Sequence, residues 1–143
     1  MPTVLIADER TGATPWLPRA TVEKYFPGFI GAPCYNPIEN LVRLINQKRP
    51  QMVFLHDWGS GFPEFFLSVR RGVLDHGLPW PKVFIFGEFD PDETDPVRAH
   101  ELDHVHQTLR AIGATDIFPE PYTEEQYQWT ARQVRAHFAH QQS

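Results

Sequence analysis

The sequence predicts an α/β protein in which five parallel strands form one doubly wound sheet, wrapped by helices on both faces. Two observations carry that reading. Short apolar runs alternate five times with longer amphipathic ones, and no repeat or low-complexity tract interrupts the alternation. Strict alternation of strand and helix implies parallel neighbours joined by right-handed crossovers, because a twisted strand feeding a right-handed helix returns to its sheet that way. With 143 residues, 41% of them hydrophobic, the chain can bury one core, so residues 1–143 read as a single domain.

The first apolar run, TVLIA at 3–7, reads as a buried strand. PRATVEKYF follows as a helix with Pro18 in its first turn, where a missing N–H costs nothing. GFIGAP (28–33) is a weaker second strand. In NPIENLVRLINQK, Asn36 is placed as N-cap and Pro37 as the first helical residue, with Ile38, Leu41, Val42 and Ile45 on one face. QMVFLHD (51–57) is the third strand, and the glycine-rich turn WGSG leads into a helix at PEFFLSVRRGVLDH. KVFIFG (82–87) is the fourth strand. Asp95 and Pro96 then open a helix as N-cap and first-turn pair, with Leu102, Val105, Leu109 and Ile112 as its core stripe. TDIFPE (115–120) is the fifth strand. In the last helix, TEEQYQWTARQVRAHF, Thr123 and Gln126 form a capping box, and Tyr127, Thr130, Val134 and Phe138 face inward.

The formal net charge of -5 is concentrated in EFDPDETDPVRAHELD (88–103), where Glu88, Asp90, Asp92, Glu93, Asp95, Glu101 and Asp103 stand against Arg98 alone. A basic footprint for nucleic acid is missing, and the acidic stretch reads as a solvated loop and helix start. The apolar run in MPTVLIADER is too short for a signal segment or a membrane span, so a cytoplasmic protein without a membrane partner is expected. The single cysteine, Cys34, leaves no internal disulfide and no CxxC site, which fits a reducing compartment.

In doubly wound sheets, functional groups collect at the carboxyl ends of the strands. Here those ends carry Asp8 and Glu9, then Asp57, then Gly87, then Glu120. Together with VLIADE at the first strand, KRPQMVFLHDW at the third and LRAIGATDIFPEPYTEEQY at the fifth strand and last helix, they give a chain that resembles the CheY-like receiver domain of two-component response regulators over nearly its whole length. The resemblance implies a (βα)5 sheet of receiver or flavodoxin type with strand order 2-1-3-4-5. It also implies that Asp8 and Glu9 match the acidic pair that holds magnesium with Asp57, and that Asp57 falls on the phosphoacceptor position. An aspartate attacking a phosphoryl group needs a hard cation and a basic side chain to neutralise the charge that gathers there.

The other half of the receiver pattern is altered. Glu120 stands where the family has a lysine before the proline that is here Pro121, and Gly87 stands where it has a serine or threonine. Four carboxylates, Asp8, Glu9, Asp57 and Glu120, are then expected around one small pocket, so that one of them has a raised pKa or the pocket holds a cation. The segment between Gly87 and Glu120 is longer than receivers have, its elaborated part being 88–103. In the family the fourth helix, fifth strand and last helix form the partner-binding and dimerisation face. The resemblance therefore implies an atypical, stand-alone receiver, a pseudo-receiver, acting in signal transduction through protein contacts. Its partner would be a kinase or downstream effector, with a homodimer through that face as a further option. Phosphorylation at Asp57 is compromised, no enzymatic activity beyond that acceptor role is expected, and magnesium is the one implied cofactor.

Two other readings compete. RTGAT (10–14) after the first strand resembles the phosphate loop of flavodoxins, and DWGSG (57–61) and FGEFD (86–90) resemble their flavin-flanking loops, with Trp58 or Phe89 available to stack on FMN. Against it, Asp8 and Glu9 set two negative charges before the phosphate loop. HELDH, with His100, Glu101 and His104, spells the H-E-x-x-H of zinc hydrolases and looks like the metal motif of peptide deformylases. Those enzymes need further glycine-rich and cysteine segments that Cys34, in GAPCYN, does not supply. At about 100° per residue, the stripe from Leu102 to Ile112 also turns His100 and His104 towards solvent.

Overall fold

The computed structural model describes residues 3–8, 16–35, 38–59 and 61–139. Five strands, β1 (Thr3–Asp8), β2 (Ile30–Tyr35), β3 (Met52–Asp57), β4 (Lys82–Gly87) and β5 (Asp116–Pro119), pair in parallel in the order β2-β1-β3-β4-β5. They alternate with α1 (Arg19–Tyr25), α2 (Ile38–Lys48), α3 (Phe62–Asp75), α4 (Pro96–Ile112) and α5 (Glu124–Ala139). Successive strand side chains point to opposite faces, so each strand feeds two layers. Val4, Ile6, Met52, Phe54, Phe84, Phe86 and Phe118 meet Val22 and Phe26 at α1 and Ala131 and Val134 of α5. The alternate residues, among them Leu5, Val53, Leu55, Val83 and Ile85, meet Leu41 and Ile45 of α2, Phe66, Val69 and Val73 of α3, and Leu109 of α4.

The local signals act as their chemistry requires. Asp95 Oδ1 accepts from the Val97 N–H at 3.0 Å and Pro96 begins α4. The capping box closes in both directions, Gln126 N donating to Thr123 Oγ1 (3.2 Å) and Thr123 N to Gln126 Oε1 (3.0 Å). Asn36 and Pro37 lie outside the described residues.

Two expectations shift. The second strand begins at Ile30, two residues later than GFIGAP suggests, because Phe29 N bonds to Phe26 O (3.1 Å) and Gly28 takes φ 91, making 26–29 a turn. Along α4 only Leu109 is fully buried, while Leu102, Val105 and Ile112 are half-buried, so the first turns of this helix stand away from the core. Among the described residues, no helix is long and apolar enough to cross a membrane.

Candidate functional site at the carboxyl ends of the strands

β3 ends on two adjacent polar residues, and strand alternation sends them to opposite faces of the sheet. His56 falls on the face of Phe54, Asp57 on the face of Leu55. That single step gives the two side chains different partners, although His56 also borders the groove into which Asp57 opens.

On the His56 side, the imidazole stacks on Trp16, with ring centroids 5.2 Å apart and planes 28° apart. Trp16 is anchored in turn. Its indole N–H donates to Ala7 O at 2.8 Å, its backbone N–H donates to Asp8 Oδ2 at 3.1 Å, and its ring tilts against Phe86. Nε2 of His56 lies 3.0 Å from Glu120 Oε2, and the two side chains are only 17% and 13% exposed, so water screens this pair weakly. Glu120 Oε2 also accepts from the Tyr122 hydroxyl at 3.1 Å, and that hydroxyl lies 3.3 Å from Glu88 Oε1. Desolvation and then the Glu120 charge push the Tyr122 phenol up to about 12, so it stays a donor at neutral pH. The Glu120 backbone N–H donates to Gly87 O at 2.9 Å and fixes the chain beside the end of β4.

On the other face, Asp57 Oδ1 accepts from the Gly59 N–H at 2.8 Å in a tight turn, for which Gly59 adopts φ 112. Asp57 opens into a groove of about 610 Å³ lined by Trp58, Gly59, the start of α3 and α4, with Arg98 and His106 among its α4 residues. Burial pushes the Asp57 carboxyl above the usual carboxylate range, against the Gly59 hydrogen bond and the nearby His56 and His106. Burial likewise lowers His106, helped by Arg110, and its ring packs edge-on against Phe89 with centroids 4.6 Å apart. A Cβ on Gly87 would lie 3.4 Å from the Asp57 Cβ, so a hydroxyl side chain there would touch Asp57, and glycine withholds it.

Asp8 and Asp57 both sit at strand carboxyl ends, as the sequence places them, and Pro121 follows Glu120 as a buried residue. Glu9 and the RTGAT segment lie outside the described residues. The three described carboxylates do not share one pocket. Asp8 is 4% exposed and bonded to the Trp16 backbone, Glu120 faces His56 and Tyr122, and Asp57 faces the α4 groove. Alternation along β3 and the two bonds that claim Glu120 account for the separation.

Receivers would hold magnesium between Asp8, Glu9 and Asp57. Each described member of that set commits one oxygen to a backbone N–H, and among the described residues no group of three or more His, Cys, Asp or Glu could hold a metal ion. The described residues alone therefore do not make up a magnesium site. His100, Glu101 and His104 are all exposed on α4, away from the strand ends, as the helical stripe requires. Trp58 covers the start of α3, edge-on to Phe62 and Phe65.

The sequence reading passed over His56, Trp16 and Tyr122. A signal for the first was present: a histidine one residue before the strand-end aspartate must face the opposite layer, where an acid at the end of β5 can reach it.

No protein-family model matches the chain, and no curated protein matches it. Solved structures do. A LuxR-family DNA-binding response regulator from Staphylococcus aureus matches at 15% identity with a TM-score of 0.57, over 95% of this chain and 98% of that one. The CheY-like protein tadZ from Pseudomonas aeruginosa matches at 13% identity and TM-score 0.58, over 94% of each chain. A cobalamin-binding protein from Desulfitobacterium hafniense matches at 15% identity and TM-score 0.61 over 94% of this chain, which spans 58% of that protein. The fold is that of CheY-like receiver domains, with the strand order and complete five-strand sheet of that class.

Proposed function

We propose that this protein is an atypical receiver-like signalling module that works by protein contact through α4, β5 and α5, and that Asp57 does not serve as a phosphorylation switch. The observation that carries the reading is the His56–Glu120 pair at 3.0 Å. At the β5 position where receivers present a lysine to the phosphoryl group, this chain presents a carboxylate already satisfied by His56 and Tyr122. Gly87 offers no hydroxyl, so neither of the two groups through which a receiver reads phosphorylation has a counterpart at its family position. The bonds from His56 to Glu120 and from Tyr122 to Glu120 join β3 to the loop after β5, which supports a face held in one arrangement. Its partner would be a kinase, a downstream effector or a second copy of the chain.

Incubation with acetyl phosphate and magnesium, followed by intact-mass measurement, tests this. The wild-type chain is expected to stay unmodified, and Glu120→Lys is expected to raise labelling at Asp57 by restoring a cation at the end of β5. Stoichiometric magnesium-dependent labelling of the wild type at Asp57 would overturn the proposal. A pull-down from native extract with Tyr122→Ala as control tests the face, and undiminished capture by the variant counts against it.

A further inference from the structure

The groove beside Asp57 has a chemistry that the signalling reading leaves unused. Its volume, about 610 Å³, lies in the range of small-molecule sites and far exceeds what a bare ion needs. One side is acidic: Asp57 at its base, with Glu64 from α3 and Glu88 after β4. The first half of α4 contributes Arg98, whose only ion pair among the described residues is a long one to Glu101 at 3.8 Å. Phe89, beside Glu88, and Leu102 and Val105, on α4 with Arg98, add apolar surface to the same lining. His106 beside them is lowered by burial, so it adds surface and little charge at neutral pH.

Acidic groups, one arginine and apolar side chains in a single lining are the complement of a dipolar molecule with an apolar body. A hard divalent ion suits it poorly, since such ions demand several converging oxygens and Asp57, Glu64 and Glu88 do not come together as a group that could hold a metal ion. We propose that the groove binds an apolar zwitterion of amino-acid type, its ammonium group against Asp57, its carboxylate against Arg98 and its side chain along Phe89, Leu102 and Val105. The elaborated 88–103 segment thereby gains a role, because it brings Arg98 and the start of α4 to the mouth of the groove. This proposal rests on the groove and not on the state of the His56–Glu120 pair, so the acetyl phosphate result does not decide it.

L-phenylalanine, its methyl ester and 3-phenylpropionate separate the two charges. Isothermal titration, with amide shifts of Gly59, Gly61 and Gly87 as the second readout, is expected to show saturable binding of L-phenylalanine with a Kd between about 10 μM and 1 mM. The ester, lacking the carboxylate, and 3-phenylpropionate, lacking the ammonium, should each bind at least about tenfold more weakly. Asp57→Asn and Arg98→Ala should reproduce those two losses on the protein side, and Arg98 is exposed enough for its removal to leave the fold intact. Absence of saturation at about 10 mM, equal affinity for the ester, or unchanged binding by Arg98→Ala would each overturn the proposal.

Discussion

Asp57 shows how one residue's surroundings set its chemistry. Burial raises its pKa, so the folded chain holds a proton there more tightly than the unfolded chain does. Between the ordinary value of 3.8 and the raised folded value, stability falls as pH rises, and above the folded value the whole penalty is present. Asp57→Asn removes the charge, so its melting temperature at pH 7 in metal-free buffer should exceed that of wild type, and the gap should close below about pH 3.8. A lower melting temperature for the variant at pH 7 would contradict this. Cys34 is the opposite case, an inert group. It is 3% exposed and burial pushes its thiol up to about 11, so at pH 8 it stays a thiol. Iodoacetamide should leave the native chain unlabelled on the timescale in which it alkylates one cysteine in denaturant.

At the scale of elements, what was legible followed from chemistry carried within a few residues of chain. Asp95–Pro96 and Thr123–Gln126 announced their helix starts, because capping needs only short side chains and adjacent N–H groups. Thr123→Ala should therefore cost about 1 kcal/mol in chemical denaturation, with the slope unchanged. The start of β2 was less legible, since the turn before it depends on the left-handed Gly28 and not on an apolar pattern. The end of α4 depends on packing that no periodicity reports. Gly113 caps it at φ 141, its carbonyl accepts from Trp80 Nε1 at 2.8 Å, and a Cβ would meet the Arg70 guanidinium and lie 2.9 Å from Trp80 Nε1. Gly113→Ala should cost more than the Thr123 cap, about 2 kcal/mol, because backbone strain and a steric conflict coincide there.

The whole molecule is held by the central strand. β3 pairs with β1 on one side and β4 on the other, and sends alternate residues into both layers. That alternation sorts the strand's side chains between the two layers and also divides the site, by turning His56 towards Trp16 and Asp57 towards α4. The acids at the strand ends were legible as types and positions. Their separation was not, because it required knowing that Glu120 would be claimed by His56 across the sheet. Phe54 is the residue on which this architecture can be tested. It is 0% exposed and its ring meets Phe26 at 5.2 Å, Phe86 at 5.1 Å and Phe84 at 6.1 Å, each edge to face. Phe54→Ala removes that hub from the aromatic layer and should cost about 3–5 kcal/mol, lowering the melting temperature by about 10–20 °C, whereas Phe54→Leu keeps most of the volume and should cost about 1.5 kcal/mol. Because β3 joins both layers, the loss should appear as one transition, with near-ultraviolet circular dichroism reporting the aromatic layer and far-ultraviolet circular dichroism reporting the helices at the same midpoint. Separate midpoints for the two signals would mean that the layers melt independently and that β3 does not couple them.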